Sequence, residues 1–218
     1  MTDLIFLLQL LCASLILLSV ILMHIVRKNS TLVTAYVFQS LVLVVLLGIE
    51  VYQEASLGLL LVTLVMFVIK VIFAPVLFRR LINRSHQNLS ATAYLNIPMT
   101  LIVLLILFVF SQSEILSQVS SLFPATLPLK GVLMGSLLMS IFLIINRKGA
   151  LSQIIGILSL ENSIFTFGIL LGVRQQSALE LGMLFDVFFW IMISSIFVSM
   201  IFKNFGSFDI SKLNQLKK

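Results

Sequence analysis

Residues 57–80 read LGLLLVTLVMFVIKVIFAPVLFRR. Between Leu57 and Phe78 a single side chain, Lys70, is charged, and the run stops at Arg79 and Arg80. A helix that crosses the hydrocarbon core of a bilayer needs about 20 apolar residues, and this run supplies them. Strands of a membrane barrel alternate apolar and polar side chains over about ten residues. Here the run is continuous and about twice that length, so it predicts a transmembrane helix. How often the chain repeats the pattern then sets the fold class.

Six further runs flank it. They fall at Leu4–Val26, Thr31–Ile49, Tyr94–Phe110, Leu129–Ile145, Leu151–Val173 and Ala178–Phe202. Seven spans predict an all-α, polytopic protein with one membrane domain over residues 1–218. The composition agrees: 60% of the 218 residues are hydrophobic and 10% charged, against about 25% charged in an ordinary globular chain. Mean hydropathy is +1.19. So little polar surface cannot cover a soluble core of this size, and the short connections leave no room for a large extramembrane domain.

Other counts narrow the chemistry. Cys12 is the only cysteine, which excludes an intrachain disulfide and a cysteine metal cluster. His24 and His86 are far apart in sequence and form no short-spaced ligand pair. Both fall at the ends of apolar runs, where solvated surface is expected. The eighteen phenylalanines are expected to serve as lipid-facing bulk. The start Met1-Thr2-Asp3 lacks the basic leader of a removable signal peptide, so the first run is expected to remain as an anchor. A net charge of +6 would suit nucleic acid only if gathered into a basic patch. Instead the basic residues sit in twos and threes at the ends of apolar runs, and no nucleic-acid partner is expected.

That distribution reports topology. Connections alternate: none at the amino terminus, then Arg27 and Lys28, then only Glu50 and Glu54, then Arg79, Arg80 and Arg84. Lys130 follows alone, then Arg147 and Lys148, Arg174 alone, and a tail with Lys203, Lys212, Lys217 and Lys218. One side collects eleven basic residues and the other two. The positive-inside rule places the richer side in the cytoplasm, with the amino terminus outside and the carboxy terminus inside. An odd number of spans is then required, which seven satisfies.

Three charges do not fit this frame: Lys70 in the third run, Glu161 in the sixth and Asp186 in the seventh. At 1.5 Å per residue, Lys70 lies roughly 13 Å from Arg79, and Glu161 roughly 20 Å from Lys148. Asp186 lies roughly 12 Å in from the outer end of its run. All three fall in the middle band of the bilayer. Each costs about 2.5–3.5 kcal/mol at the centre of a lipid-exposed helix, so they should face protein or a hydrated cavity. A structural ion pair explains one acid and one lysine; it leaves the second acid without a partner. A carboxyl group held that way can take up and release a proton, as a relay requires. Acids that shared Lys70 would titrate as one coupled system. Relay and structural pairing both remain open on the residues alone.

The neighbouring residues suit helix contact. Ser152, Gly156, Ser159, Ser163 and Thr166 recur at three- and four-residue spacing, a small-residue stripe that lets another helix approach closely. Glu161 lies about 200° around the helix from Ser159, so the sixth span is expected to have protein on both sides. Pro75, five residues after Lys70, is expected to free a carbonyl near the lysine and kink the third span. Arg27-Lys28 leads into the second run as Arg147-Lys148 leads into the sixth, and Gln39-Ser40 sits about where Glu161-Asn162 sits. Spans one to three and five to seven would then be two copies in one orientation, an arrangement known in transport proteins.

The segments Asn146-Arg147-Lys148, Ile155-Gly156 and Glu161-Asn162-Ser163, with Asp186 and the tail Phe208-Asp209-Ile210-Ser211-Lys212-Leu213, resemble component E of membrane-bound nickel–iron hydrogenases of the hydrogenase-4 type. The spacing from Lys70 to Pro75 extends the likeness toward the amino terminus. The last three spans are in turn similar to the small K (4L) subunit of respiratory complex I and to the C subunit of Mrp-type cation/proton antiporters. In those relatives two carboxylates belong to a central hydrophilic axis along which protons move. Asp186 matches the second, shortened from glutamate. The first is displaced: the complex I pattern has its glutamate where this chain has Leu158. Glu161 stands three residues further on, within about 60° of the same face and about 4.5 Å toward the outside.

The resemblance implies a division into first three helices (residues 1–93), a connector helix with its outer loop (94–128) and K-like last three helices (129–218). It also implies a subunit without cofactor or metal that catalyses no redox step itself, in a multisubunit oxidoreductase complex of the inner, cytoplasmic membrane. Its partners would be antiporter-like membrane subunits and a peripheral hydrogenase or related electron-transfer module. Glu161, Asp186 and Lys70 are the expected proton-translocation residues. The rival expectations are a scaffold whose buried charges specify packing, and a self-contained secondary transporter. The transporter is disfavoured because matching halves lack the Gly/Pro-interrupted helices common in that class.

Overall fold

Helices in this chain start and stop where a local group satisfies the backbone ends that an α-helix leaves open. The computed structural model describes residues 2–84, 91–113, 129–170 and the single position 192. Helix α1 (Thr2–Ile25) leads through a short connection into α2 (Asn29–Glu54). The apolar run predicted Thr31–Ile49, but α2 continues through Glu50 and Glu54. Hydropathy marks only the length that hydrocarbon would cover, whereas backbone bonding carries on until Ala55 turns left-handed at φ 49° and donates its N–H to the Val51 carbonyl. Glu50 meets α1 there, accepting from Gln9 Nε2 at 2.8 Å. Ser56 then caps α3 (Leu57–Met66), its Oγ accepting from the Leu59 N–H at 3.4 Å.

The third span does not remain α-helical. A π-helical segment, Phe67–Phe73, joins α3 to α4 (Ala74–Arg84), and the Ala74 N–H reaches five residues back to the Ile69 carbonyl. Pro75 comes next. In this register its partner would be the carbonyl of Lys70, and proline has no N–H to give. Where the sequence leads one to expect a kink, the helix is π-helical. Lys70 lies within that segment, of the kind that often marks functional sites.

Helix α5 (Ile97–Ser111) begins at Asn96, whose Oδ1 accepts from the Met99 N–H at 3.0 Å, with Pro98 in the first turn where no N–H is required. Helices α6 (Lys130–Asn146) and α7 (Ala150–Leu170) complete the described elements. Leu4–Ile25, Asn29–Glu54, Leu57–Arg80 and Leu151–Leu170 are each long and apolar enough to cross a membrane. Helices α5 and α6 are shorter, at 15 and 17 residues. Apart from position 192, the seventh predicted run, Ala178–Phe202, lies outside the described residues, as do residues 114–128 between α5 and α6 and His86.

The described helices pack within the unit Met1–Val173. Helices α1 and α2 form one hairpin and α6 and α7 another; α1 lies on α6 and α2 on α7, while α5 packs on α6 and the third span on α2. Their interior mixes apolar with polar side chains, and their surface is apolar. Gln39, Ser40, Ser140, Ser159, Asn162 and Ser163 are buried, while Leu61, Leu64, Val65, Leu105, Ile106 and Val109 are exposed. Such an outer surface suits hydrocarbon better than water.

Three connections meet at one end. The Ala91 N–H donates to the Arg27 carbonyl at 2.8 Å, Tyr94 N–H to Asn146 at 2.8 Å, and Lys148 N–H to Thr92 at 3.1 Å. Arg147, only 1% exposed, fastens this end. Its guanidinium donates to the carbonyls of Met23, His24 and Val26 at the end of α1, and to Ala91 at 2.6 Å. A cation there answers the negative end of the α1 dipole, worth up to ~2 kcal/mol when partly buried. Burial, with the Arg27 charge nearby, lowers its pKa to about 10, so it stays charged at neutral pH. His24, expected on solvated surface, is buried: Nε2 lies 3.0 Å from the Met139 carbonyl and the ring stacks on Phe142. The amino-acid pattern placed it at a helix end, but the packing of α6 over that end covers it.

Candidate functional site

The small-residue stripe of α7 brings this helix onto its neighbours. At Gly156 an added Cβ would stand 3.0 Å from Ile144 Cγ1 and 3.3–3.4 Å from the Ile144 backbone. Two turns further along, Ser163 and Ser140 of α6 have their hydroxyls 3.1 Å apart. Ser152, Ser159, Ser163 and Thr166 are all buried, and the hydroxyls of Ser163 and Thr166 return hydrogen bonds to the carbonyls four residues earlier. The predicted packing face is therefore present. With α6 against this stripe, the far side of α7 carries Glu161 toward the third span, so α7 has protein on both sides.

Lys70 and Glu161 meet there. Lys70 Nζ lies 2.7 Å from Glu161 Oε1, with the two side chains 1% and 2% exposed. Asn162 Oδ1 accepts a second hydrogen bond from the ammonium at 2.9 Å. The ring of Phe165 lies 5.1 Å from Nζ, within cation–π range. Residues 161, 162 and 165 of one helix thus offer the ammonium a carboxylate, an amide oxygen and an aromatic face. Glu161 Oε2 is buried and makes no hydrogen bond among the described residues. A buried carboxylate with one oxygen paired and the other without a hydrogen bond is incompletely compensated.

The cluster continues into α2. Asn162 Nδ2 donates to Ser40 Oγ at 3.1 Å and to Gln39 Oε1 at 3.4 Å, and Gln39 Nε2 donates to the Ser159 carbonyl at 3.4 Å. Gln39-Ser40 and Glu161-Asn162, whose sequence positions suggested a repeat, are thus in direct contact. Close by in the fold, Tyr36 packs edge-on against Phe78 of α4, so α2 touches both the third span and α7.

Of the three predicted site residues, Lys70 and Glu161 come together and Asp186 lies outside the described residues. Gln39, Ser40, Asn162 and Phe165 join them without having been singled out as site residues. Their signal was available: Gln39 and Asn162 are amides in the middle of apolar runs, which need partners there. Phe165 and Phe78 are buried rather than lipid-facing, because aromatic side chains serve either environment and composition does not separate the two. No group of three or more metal-ligating side chains occurs among the described residues.

The chain is similar to Hydrogenase-4 component E of Escherichia coli (strain K12), at 28% identity over 187 residues that cover 84% of each protein. Proteins of the same name from Escherichia coli O157:H7 and Shigella flexneri match at the same identity and coverage. No family model and no solved structure matches it significantly. The likeness drawn from the motifs between Lys70 and Leu213 is thus matched by a similarity over most of the chain.

Proposed function

We propose that this chain is a membrane subunit of a multisubunit hydrogenase assembly and contributes to proton or cation translocation, with no redox chemistry of its own. The similarity to Hydrogenase-4 component E supports the kind of assembly, and the apolar helices support its place in a membrane. The inner, cytoplasmic membrane is the proposed location, and antiporter-like subunits and an electron-transfer module are the proposed partners. We read the chain as seven spans in a single membrane domain, amino terminus outside and carboxy terminus in the cytoplasm, with residues 129–218 as the K-like part. The meeting of the Arg27, Ala91–Tyr94 and Arg147 connections at one end of the bundle supports that alternation.

One observation carries the relay reading: a lysine–glutamate pair, almost wholly buried among apolar helices, whose carboxylate keeps a second oxygen without a hydrogen bond among the described residues. In the resting arrangement Lys70 is an ammonium and Glu161 a carboxylate. A proton reaching the bare Oε2 neutralises Glu161 and loosens its hold on Lys70. Passing that proton on to Asp186 restores the pair. Lys70 sets the ease of each step through its charge.

Glu161→Gln keeps the shape and removes the ionisable group. It is expected to abolish coupled ion transport in membrane vesicles while the partners still co-purify. Full transport in this variant removes Glu161 from the relay. The amide network from Lys70 to Gln39 also suits a purely structural lock between α2, the third span and α7. Under that second reading the same substitution loses assembly instead of transport.

A further inference from the structure

Four cations gather where the three connections meet. Arg27 and Lys28 join α1 to α2, and Arg147 and Lys148 join α6 to α7. The segment 91–94 draws the two pairs together: the Ala91 N–H donates to the Arg27 carbonyl, and the Lys148 N–H donates to the carbonyl of Thr92, the next residue. Arg147 is buried at this junction, and after burial it is the Arg27 charge that lowers its pKa. Arg27, Lys28 and Lys148 are exposed, with Lys148 Nζ 5.0 Å from the centre of the exposed Tyr94 ring. The connections hold no carboxylate to oppose them: Asp and Glu are absent from Leu4 to Ile49, from Ala55 to Ser113 and from Ile115 to Leu160. No side chain caps α2 at Lys28, so the positive end of that helix adds to the field. Arg147 Nε is buried here and makes no hydrogen bond among the described residues. Like charges held this close repel one another, and an anion among them would offset the repulsion.

The surface beside the cations is apolar. Leu18, Leu22 and Ile25 are exposed at four- and three-residue spacing, one stripe of α1 that runs roughly 10 Å and ends two residues before Arg27. Ile145 of α6 is exposed two residues before Arg147. Tyr94 supplies the amphipathic ring typical of a membrane–water interface. We propose that this junction binds an anionic phospholipid, with the phosphate among Arg27, Lys28 and Lys148 and an acyl chain along the α1 stripe. A free anion or an acidic protein surface would use the cations alone; a lipid uses the cations and the stripe that leads to them. The proposal goes beyond the relay reading and needs only that these helices lie in a bilayer, which their length and composition suit. A lipid there would tie the α1–α2 and α6–α7 hairpins together from outside, as Arg147 does from within.

The test is native mass spectrometry of the full-length chain, purified in mild detergent with the partners that accompany it, with phosphatidylglycerol or phosphatidylcholine added. Phosphatidylglycerol is expected to bind more tightly. Each cation near a membrane surface contributes about fivefold to the affinity for anionic lipid. Arg27→Gln with Lys148→Gln is therefore expected to weaken phosphatidylglycerol about 25-fold and to leave phosphatidylcholine unchanged. Arg79→Gln with Arg80→Gln removes the same charge from α4, outside this junction, and is expected to change the affinity by about twofold at most. If the first pair does not assemble, Lys28→Gln alone decides, with an expected loss of about fivefold. An equal loss in both pairs, or equal affinity for the two lipids, overturns the proposal, since net charge or apolar surface alone would then suffice. Inorganic phosphate that displaces phosphatidylglycerol at equal concentration also overturns it, because the stripe would contribute nothing. So does loss of a co-purifying chain in Arg27→Gln with Lys148→Gln at unchanged lipid affinity, which assigns the cations to an acidic protein surface. None of these outcomes touches the relay, which Glu161→Gln tests separately.

Discussion

At the scale of single residues, the Lys70–Glu161 pair decides both stability and chemistry. Removing one member of a buried pair strands the other charge, at a cost of about 3–5 kcal/mol, whereas removing both is often close to neutral. Lys70→Met is therefore expected to lower the unfolding midpoint in detergent sharply, and Lys70→Met with Glu161→Gln to recover most of the loss. Equal losses in the single and double variants would mean that the pair is not what holds these helices together. The charges themselves were legible in the sequence, since an ionisable side chain in an apolar run announces its own cost. Their pairing was not, because Lys70 and Glu161 are 91 positions apart and no local spacing connects them. Asn162 and Gln39 were harder still to assign, because amides are cheaper than charges in hydrocarbon and their cost does not single them out.

Among elements, the contact between α6 and α7 is a close approach that Gly156 permits. At Gly156 the ideal Cβ position falls 3.0 Å from Ile144 Cγ1, whereas at Gly168 of the same helix nothing lies within 4 Å. Gly156→Val is expected to destabilise by about 1–3 kcal/mol through overpacking, and Gly168→Val to leave the denaturant midpoint close to that of the parent chain. Indistinguishable midpoints would show that α6 yields without cost. The stripe around Gly156 could be read from its spacing alone. The π-helical stretch could not: Pro75 indicates that a backbone bond is missing but not which helical register the preceding residues adopt. Helix ends drifted for a related reason, because hydropathy ignores the capping done by Ala55, Ser56 and Asn96.

For the molecule as a whole, the alternation of basic connections makes a prediction about sidedness. In a Cys12→Ala background, Gln53→Cys lies in the last turn of α2 and Lys28→Cys just before its first. An impermeant maleimide added to intact cells is expected to label position 53 and spare position 28, and the reverse in inverted vesicles. Labelling of both from one side would break the topology. Charge bias reads the fold at this scale because it depends on connections rather than contacts. It did not show that Arg147, counted there as one more cytoplasmic cation, is buried against the last carbonyls of α1. That clasp has a consequence for biosynthesis. The ribosome makes Arg147 more than a hundred residues after the α1 carbonyls it serves. The first helix must therefore wait with its end uncovered until Arg147, 124 residues after Met23, has been translated.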